Sequence, residues 1–337
     1  MGEPNARPRR VSAAALDQFG RGIEYLRISV TDKCNFRCLY CMPVEGLQWL
    51  PKSEILTYEE ITGIVRQLAP LGLRRVRISG GEPTIRPSLD ILIASLRSVP
   101  EVDDISLSTN GLLLTDLADP FKRAGLDRVN MSVDSLRPER IAAISRRRVA
   151  FDPIAVAATA ERAGLNPVKI NMVVMRGIND DEIGDLARLT LEHPWHVRFI
   201  ELMPVGDMQS LTWDHVVESS EVLDRLSDVG HLSRTVGPSR ANGPADYYRF
   251  DGGLGTIGVI SPMTHTYCAS CNRVRLTADG RLRTCLFGDH EVNLRDPYRN
   301  GEDLAPFFHR ALAGKPKEHH LLQMRVGGLR ALSQVGG

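Results

Sequence analysis

The sequence predicts an α/β fold in which parallel strands form a partial barrel, followed by a smaller α+β unit. Three observations predict it. Apolar strand-like runs alternate with amphipathic segments through residues 23–202, polar or glycine-rich motifs recur at the C-terminal end of each run, and beyond residue 246 short strands follow one another without helices between them. Such alternation means parallel strands joined by right-handed crossovers. Strands in this order can form a doubly wound sheet or a partial barrel. The gathering of polar residues at one rim favours the barrel, because barrel enzymes place their chemistry at the C-terminal ends of the strands.

The elements follow in order. The run 25–30 leads into a cysteine-containing loop, and the segment 57–71 opens with Thr57 and Glu60 as a capping box. The run 75–79 ends in Gly80-Gly81-Glu82-Pro83 and precedes an amphipathic segment at 87–98. The run 104–108 ends in Ser108-Thr109-Asn110-Gly111, before a helix at 114–124. The run 128–133 ends in Ser132-Val133-Asp134, and Asp152-Pro153 starts a helix over 152–164. The run 168–174 carries Lys169 and leads to a helix at 181–192, with Asp180 at its start. The last run, 196–202, ends in Glu201-Leu202-Met203. Residues 204–246 are polar and turn-rich without a strong period. Short strands are then expected at 247–250, 256–260, 272–277 and 282–285, and a helix at 302–313.

The chain has 337 residues, with 42 Lys+Arg against 41 Asp+Glu, so net charge points to neither nucleic acid nor membrane. No apolar run approaches a membrane span, and the N-terminal segment lacks a signal-peptide core. A cytoplasmic protein with a flexible N-terminal arm is expected. In a reducing compartment clustered cysteines are ligands rather than disulfides.

All six cysteines fall into two triplets, Cys34, Cys38 and Cys41, and Cys268, Cys271 and Cys285. Each offers one thiolate fewer than a closed four-ligand shell, which predicts two soft-metal centres with an open position. No histidine lies near the first triplet in sequence. A four-iron cluster held by three thiolates leaves one iron free to chelate a small molecule. The second triplet also fits a zinc ribbon with His265 as fourth ligand. Within it lie Arg273, Arg275, Arg281 and Arg283. Arg273 and Arg275 share a face of a strand, and their guanidinium forks suit phosphate.

Cys-x3-Cys-x2-Cys with Tyr40 before the last cysteine, together with Gly80-Gly81-Glu82-Pro83, resembles the radical S-adenosylmethionine (SAM) superfamily. The string CNRVRLTADGRLRTCLFG, the segment RFIELMPVG at 198–206 and the terminal Gly336-Gly337 resemble the GTP 3′,8-cyclase family of molybdenum cofactor biosynthesis. The resemblance implies a partial (β/α)6 TIM-type barrel closed by a C-terminal α+β unit carrying a second iron–sulfur cluster. The implied domains are an arm at 1–20, a radical SAM barrel at 21–205, a cluster- and GTP-binding region at 206–330 and an active-site tail at 331–337.

The resemblance also assigns residues. Cys34, Cys38 and Cys41 would bind one [4Fe-4S] cluster, and Cys268, Cys271 and Cys285 another. Tyr40, Gly81, Ser132 and Met203 would hold SAM, with Asn110 near that pocket. Arg27, Arg77, Ser108, Lys169, Arg273, Val274 and Arg275 would contact GTP. Arg75 stands where the family often has lysine. Arg273, Arg275, Gly336 and Gly337 would support catalysis. The implied reaction is cleavage of SAM to a 5′-deoxyadenosyl radical, removal of the C3′ hydrogen of GTP, and closure onto C8 to give 3′,8-cyclo-7,8-dihydro-GTP. An external electron donor, a homodimer and hand-over to the cyclic pyranopterin-forming synthase are further implications.

Two other readings stand beside this one. The first is a radical SAM enzyme with an auxiliary cluster acting on a peptide or another small molecule. The second is a non-catalytic zinc-binding module. The Gly253–Gly258 match to G-x-G-x-x-G reads as a turn running into a strand, because the β-branched TIGVISP that follows cannot open a helix. His193, His196 and the pair His319-His320 lack helix-face ligand spacing and read as structural or exposed.

Overall fold

The computed structural model describes residues 15–203, 211–238, 243–319 and 330–335. Strands β1 (Tyr25–Ser29), β2 (Arg75–Ser79), β3 (Asp104–Thr109), β4 (Arg128–Ser132), β5 (Lys169–Val174) and β6 (His196–Glu201) pair in parallel, in sequence order, each within one residue of its expected ends. Helices α1 (Tyr58–Leu68), α2 (Leu89–Arg97) and α3 (Leu114–Ala124) connect the first four strands. Thr57 and Glu60 form the expected capping box on α1. A short helix not anticipated from sequence, α4 (Pro138–Ser145), precedes α5 (Pro153–Arg162), whose start is capped by the Asp152 carboxylate. Asp180 does not cap α6 (Ile183–Glu192). Its carboxylate instead accepts the Gly177 N–H (2.8 Å), and a turn of 3-10 helix intervenes.

The C-terminal region corrects the expected architecture. The stretch read as turn-rich contains α7 (Ser219–Ser227) and β7 (Leu232–Thr235). Strands β8 (Asp246–Phe250) and β9 (Thr256–Ile260) extend the sheet beside β6, with β9 parallel to it. Strands β10 (Arg273–Leu276), β11 (Arg281–Arg283) and β12 (Glu291–Asn293) extend it beside β1, with β10 parallel to it. The order is β12-β11-β10-β1-β2-β3-β4-β5-β6-β9-β8-β7, so the barrel is not closed. The C-terminal unit is not a separate cap; it builds onto both ends of one mixed sheet. Residues 261–272 cross from β9 at one end of the parallel set to β10 at the other, carrying Cys268 and Cys271 over the gap. Helices α8 (Arg295–Arg299) and α9 (Ala305–Ala313) complete the described elements.

Strand alternation decides where the core lies. Leu26, Ile28, Val76, Ile78, Leu107, Ile170, Met172, Val197 and Phe199 point outward and are buried against the helices. Each contributes about 1.5–3 kcal/mol by burial. Their inward neighbours are mostly polar, unlike the packed aliphatic interior usual for such barrels. The lumen is therefore a site rather than a core. Among the described residues no helix is long and apolar enough to cross a membrane.

Candidate active site

One cavity at the strand C-termini is lined by Cys34, Cys38, Cys41, Tyr40, Gly81, Ser108, Asn110, Ser132, Lys169 and Met203, and by Arg27, Arg75, Arg77, Arg198, Arg273 and Arg275. The first cysteine loop is seated by backbone pairing with the glycine motif after β2. Gly81 N–H donates to Thr31 O (2.8 Å) and Glu82 N–H to Lys33 O (2.9 Å). A Cβ at Gly81 would lie 2.2 Å from Lys33 O, and one at Gly80 would lie 2.6 Å from Thr31 O. Glycine is needed at both because the two loops touch along their backbones. Glu82 is buried and accepts from Thr84 N–H (3.0 Å), Thr84 Oγ1 (2.6 Å), Thr109 Oγ1 (2.7 Å) and Asn110 N–H (2.7 Å). Its carboxylate is thus committed to joining the ends of β2 and β3.

Burial pushes the Cys34 thiol up to about 11 and the Cys41 thiol up to about 12. Burial also raises Cys38, with the Asp134 carboxylate adding to it. Asp134, itself pushed up to about 6 by burial, accepts the Tyr40 hydroxyl (2.7 Å) and the Val173 N–H (2.9 Å). This carboxylate fixes the aromatic residue of the cysteine motif. The Arg37 guanidinium turns to the carbonyls of Cys34 (2.7 Å) and Phe36 (2.9 Å). The donor set fits an iron–sulfur cluster: thiols alone, in a largely buried pocket, with Phe36 N–H donating to Cys34 Sγ (3.4 Å).

Another part of the lining is cationic. Register places Arg275, Arg27 and Arg77 side by side on β10, β1 and β2, with Arg77 next to Ser106 on β3. One step lower, Arg273, Tyr25 and Arg75 form a second row. Adjacent strands are about 4.8 Å apart, so guanidiniums in one row repel by a few kcal/mol at an effective dielectric near 20. Burial lowers the Arg27 pKa well below its usual value, and Arg275 and Arg77 lower it further. Lys169 is 1% exposed; burial lowers it to about 5, helped by Arg198, Arg128 and Arg77. Arg198 donates to Asn130 Oδ1 (2.8 Å) while its Nε is buried without a partner. Gly258 makes room for it, since a Cβ there would sit 2.8 Å from Arg198 Cγ. A polyanion relieves this repulsion and satisfies these donors.

The second triplet stands just outside the lining, while its neighbours Tyr267, Arg273 and Leu286 are in it. Cys268 begins a 3-10 turn (Cys268–Ser270), and its carbonyl accepts from Arg21 Nη1 (2.8 Å). Lys315 Nζ lies 3.5 Å from Cys271 Sγ. Burial would raise the Cys271 thiol, but the Lys315 ammonium, the Arg273 N–H and the Arg273 guanidinium outweigh it and lower the pKa. This all-thiol set with N–H donors to sulfur suits a second cluster. His265 turns to Thr264 Oγ1 (3.4 Å) and is exposed.

Several sequence expectations shift. Arg283 is paired with Glu291 and does not line the cavity, and Arg281 is drawn toward Asp279. Arg75 is tied to Glu24 (3.0 Å). The Val274 side chain is fully buried in the core, leaving its backbone between two cavity arginines. His193 stacks on Trp195 (3.9 Å) and His319 bonds Pro262 O (3.1 Å), both structural contacts. Gly336 and Gly337 lie outside the described residues. The segment before them reaches the site: Leu332 and Ser333 line the cavity, and Val335 O accepts from Arg275 Nη1 (3.2 Å). Arg330 anchors this segment on Asp279 (2.9 and 3.0 Å) and Glu291 (3.0 Å). Sequence reasoning missed Arg198, Lys315 and Ser333, and it placed Asp134 at the rim without its hold on Tyr40.

Comparison with known proteins shows which families the chain resembles. The Radical SAM superfamily pattern matches residues 28–190, and Molybdenum Cofactor Synthesis C matches residues 195–321. The chain is 45% identical to the GTP 3′,8-cyclase of Heliobacterium modesticaldum, over 96% of this chain and 100% of the relative. It is 45% identical to that of Moorella thermoacetica, over 95% and 99%. It is 39% identical to that of Listeria monocytogenes, over 95% and 98%. Among solved structures the fold is similar to Streptococcus suis SuiB, with a TM-score of 0.61 at 14% identity, covering 85% of this chain and 65% of that chain. The SAM-bound form of SuiB gives a TM-score of 0.60 at 14% identity, covering 82% and 65%. At that identity the likeness concerns the fold.

Proposed function

The chain belongs to the GTP 3′,8-cyclase family of radical SAM enzymes, and from that membership we propose how its cavity divides the reaction between two walls. It is a lyase of the first step of molybdenum cofactor biosynthesis, converting GTP to 3′,8-cyclo-7,8-dihydro-GTP. The observation that carries the division is that one cysteine loop and one arginine row line a single lumen.

Cys34, Cys38 and Cys41 hold a [4Fe-4S] cluster, and Tyr40, Gly81, Ser132 and Met203, with Asn110, hold SAM beside it. Cys268, Cys271 and Cys285 hold a second [4Fe-4S] cluster. When bound, the first cluster and SAM supply the 5′-deoxyadenosyl radical that opens the C3′–H bond of GTP. The protein's part is to bind, orient and keep water out. Arg27, Arg77 and Arg275 take the triphosphate, with Lys169, Ser108, Arg273 and the Val274 backbone completing the contacts. Arg198 adds a cation to the same lumen. The tail segment is anchored through Arg330 and Val335; the family assigns Gly336 and Gly337 to assist Arg273 and Arg275. Residues 21–205 form the radical SAM unit and 206–330 the cluster- and GTP-binding unit, preceded by the arm at 1–20 and followed by the tail at 331–337. From the family come an external electron donor, a cytoplasmic homodimer and hand-over to the cyclic pyranopterin-forming synthase.

The peptide-modifying alternative finds its support in a fold likeness at 14% identity, whereas relatives at 39–45% over nearly the whole chain are cyclases. The test is 5′-deoxyadenosine release by anaerobically reconstituted protein with dithionite and SAM, with and without GTP. Release stimulated by GTP, with a new nucleotide product and about eight irons per chain, is expected. GTP-indifferent release would refute the substrate assignment, and about four irons would refute the second cluster.

A further inference from the structure

Lys315 follows α9 and is 2% exposed, yet no site motif contains it. Its ammonium donates to Arg273 O (3.0 Å), to Thr284 O and to Cys271 Sγ (3.5 Å). Arg273 follows Cys271 on one arm of the second triplet, and Thr284 precedes Cys285 on the other. One buried group therefore joins both arms that carry the ligands. Among the described residues no carboxylate pairs with it. A buried cation without an anion is costly, so its counter-charge must come from the sulfur side. Three thiolates on a four-iron core supply that: the assembly carries net negative charge and gains one more on one-electron reduction.

The segment beyond Lys315 wraps the same triplet. Arg21 binds Pro316 O (2.6 Å), Lys317 O (2.9 Å) and Cys268 O (2.8 Å), tying the segment to the cysteine turn. The His319 backbone N–H is directed at the Cys268 sulfur. The triplet thus has hydrogen-bond donors at two of its sulfurs, from residues remote in sequence.

We propose that Lys315 is a positioning residue of the second cluster: it fastens the two cysteine arms together and, as the buried counter-charge beside Cys271, raises that cluster's reduction potential. This rests on the reading of Cys268, Cys271 and Cys285 as cluster ligands. A positive charge beside a ligand sulfur favours the reduced, more negative state, and hydrogen bonds to the sulfurs are among the levers that set such potentials.

The test is a dithionite titration of the whole anaerobically reconstituted protein, one electron per cluster, followed by electron paramagnetic resonance. The first cluster's signal is recognised by its change on adding SAM. Lys315→Gln keeps N–H donors for the two carbonyls but removes the charge. It should make reduction of the second cluster at least tenfold less favourable, which is 59 mV for one electron, and leave the first cluster unmoved. A variant with about eight irons and both midpoints unchanged overturns the proposal. If Lys315→Gln loses the second cluster alone, Lys315→Arg decides. Recovery of the irons and of the midpoint supports a fastening cation, and failure with arginine overturns it. About four irons in the unsubstituted protein would refute the second cluster itself, a different result from an unshifted midpoint.

Discussion

Cys34, Cys38 and Cys41 sit on a loop pinned by backbone contacts and flanked by carboxylates, whereas Cys268, Cys271 and Cys285 sit on two arms joined by a buried lysine and flanked by arginines. Near the first triplet the Asp134 carboxylate faces the thiols, and two nearby guanidiniums, Arg37 and Arg146, are turned to carbonyls. SAM, where the proposal puts it, would bring a sulfonium and an ammonium to that place, and a carboxylate complements them. Near the second triplet the neighbours are Lys315, Arg273 and Arg21. GTP brings a polyanion, which complements the arginine rows beside it. The two triplets look alike in sequence, and on the proposed reading their surroundings suit them to different ligands.

The comparison is broken most severely by losing one seat and not the other. Gly81→Ala drives a methyl into Lys33 O at 2.2 Å and should abolish assembly of the first cluster and SAM cleavage. Iron analysis should show the second cluster retained; loss of both would mean that the seats are not independent. Next in size is Arg27→Ala, which removes a buried charge-assisted contact of about 2–3 kcal/mol. GTP affinity should fall roughly 30- to 150-fold, with SAM affinity held within about twofold, as measured by equilibrium dialysis.

A smaller effect is a proton. Lys169, held at about 5, is neutral at pH 7 in the free protein. A triphosphate beside it favours the charged form, so GTP binding should take up about one proton. Affinity should then weaken as pH rises, by up to about tenfold per unit. Calorimetry in buffers of different ionisation enthalpy reads the proton directly, and Lys169→Met should abolish the uptake. Persistent uptake in that variant would assign the proton to another group. The smallest effect is a control: a Cβ at Gly288 meets Cys285 Cβ at an ordinary 3.4 Å. Gly288→Ala should therefore leave iron content and turnover unchanged, in contrast to Gly81→Ala.

How much of this was legible in the sequence depended on how local the signal was. Both triplets, the glycine motif and the strand–helix alternation lie within short windows, and the structure puts them where they were expected. Helix α4 was hidden because eight residues starting at Pro138 are too few to display a period. The attachment of β9 and β10 to opposite ends of the sheet is a long-range pairing with no local mark. Arg198 was within reach, since period-two alternation on β6 places it inward with Ile200. Lys315 was not, because only the fold brings it to a cysteine 44 residues away. Asp134 was seen as part of a rim motif, but its hold on Tyr40, across 94 residues, was not.

The central claim is that the two triplets serve different ligands. Its most direct test is equilibrium binding of GTP and of SAM, measured separately on anaerobically reconstituted wild-type protein and on Cys268→Ser. GTP binding should weaken at least about tenfold and SAM binding should change by less than about twofold. Equal loss of both ligands would contradict the claim.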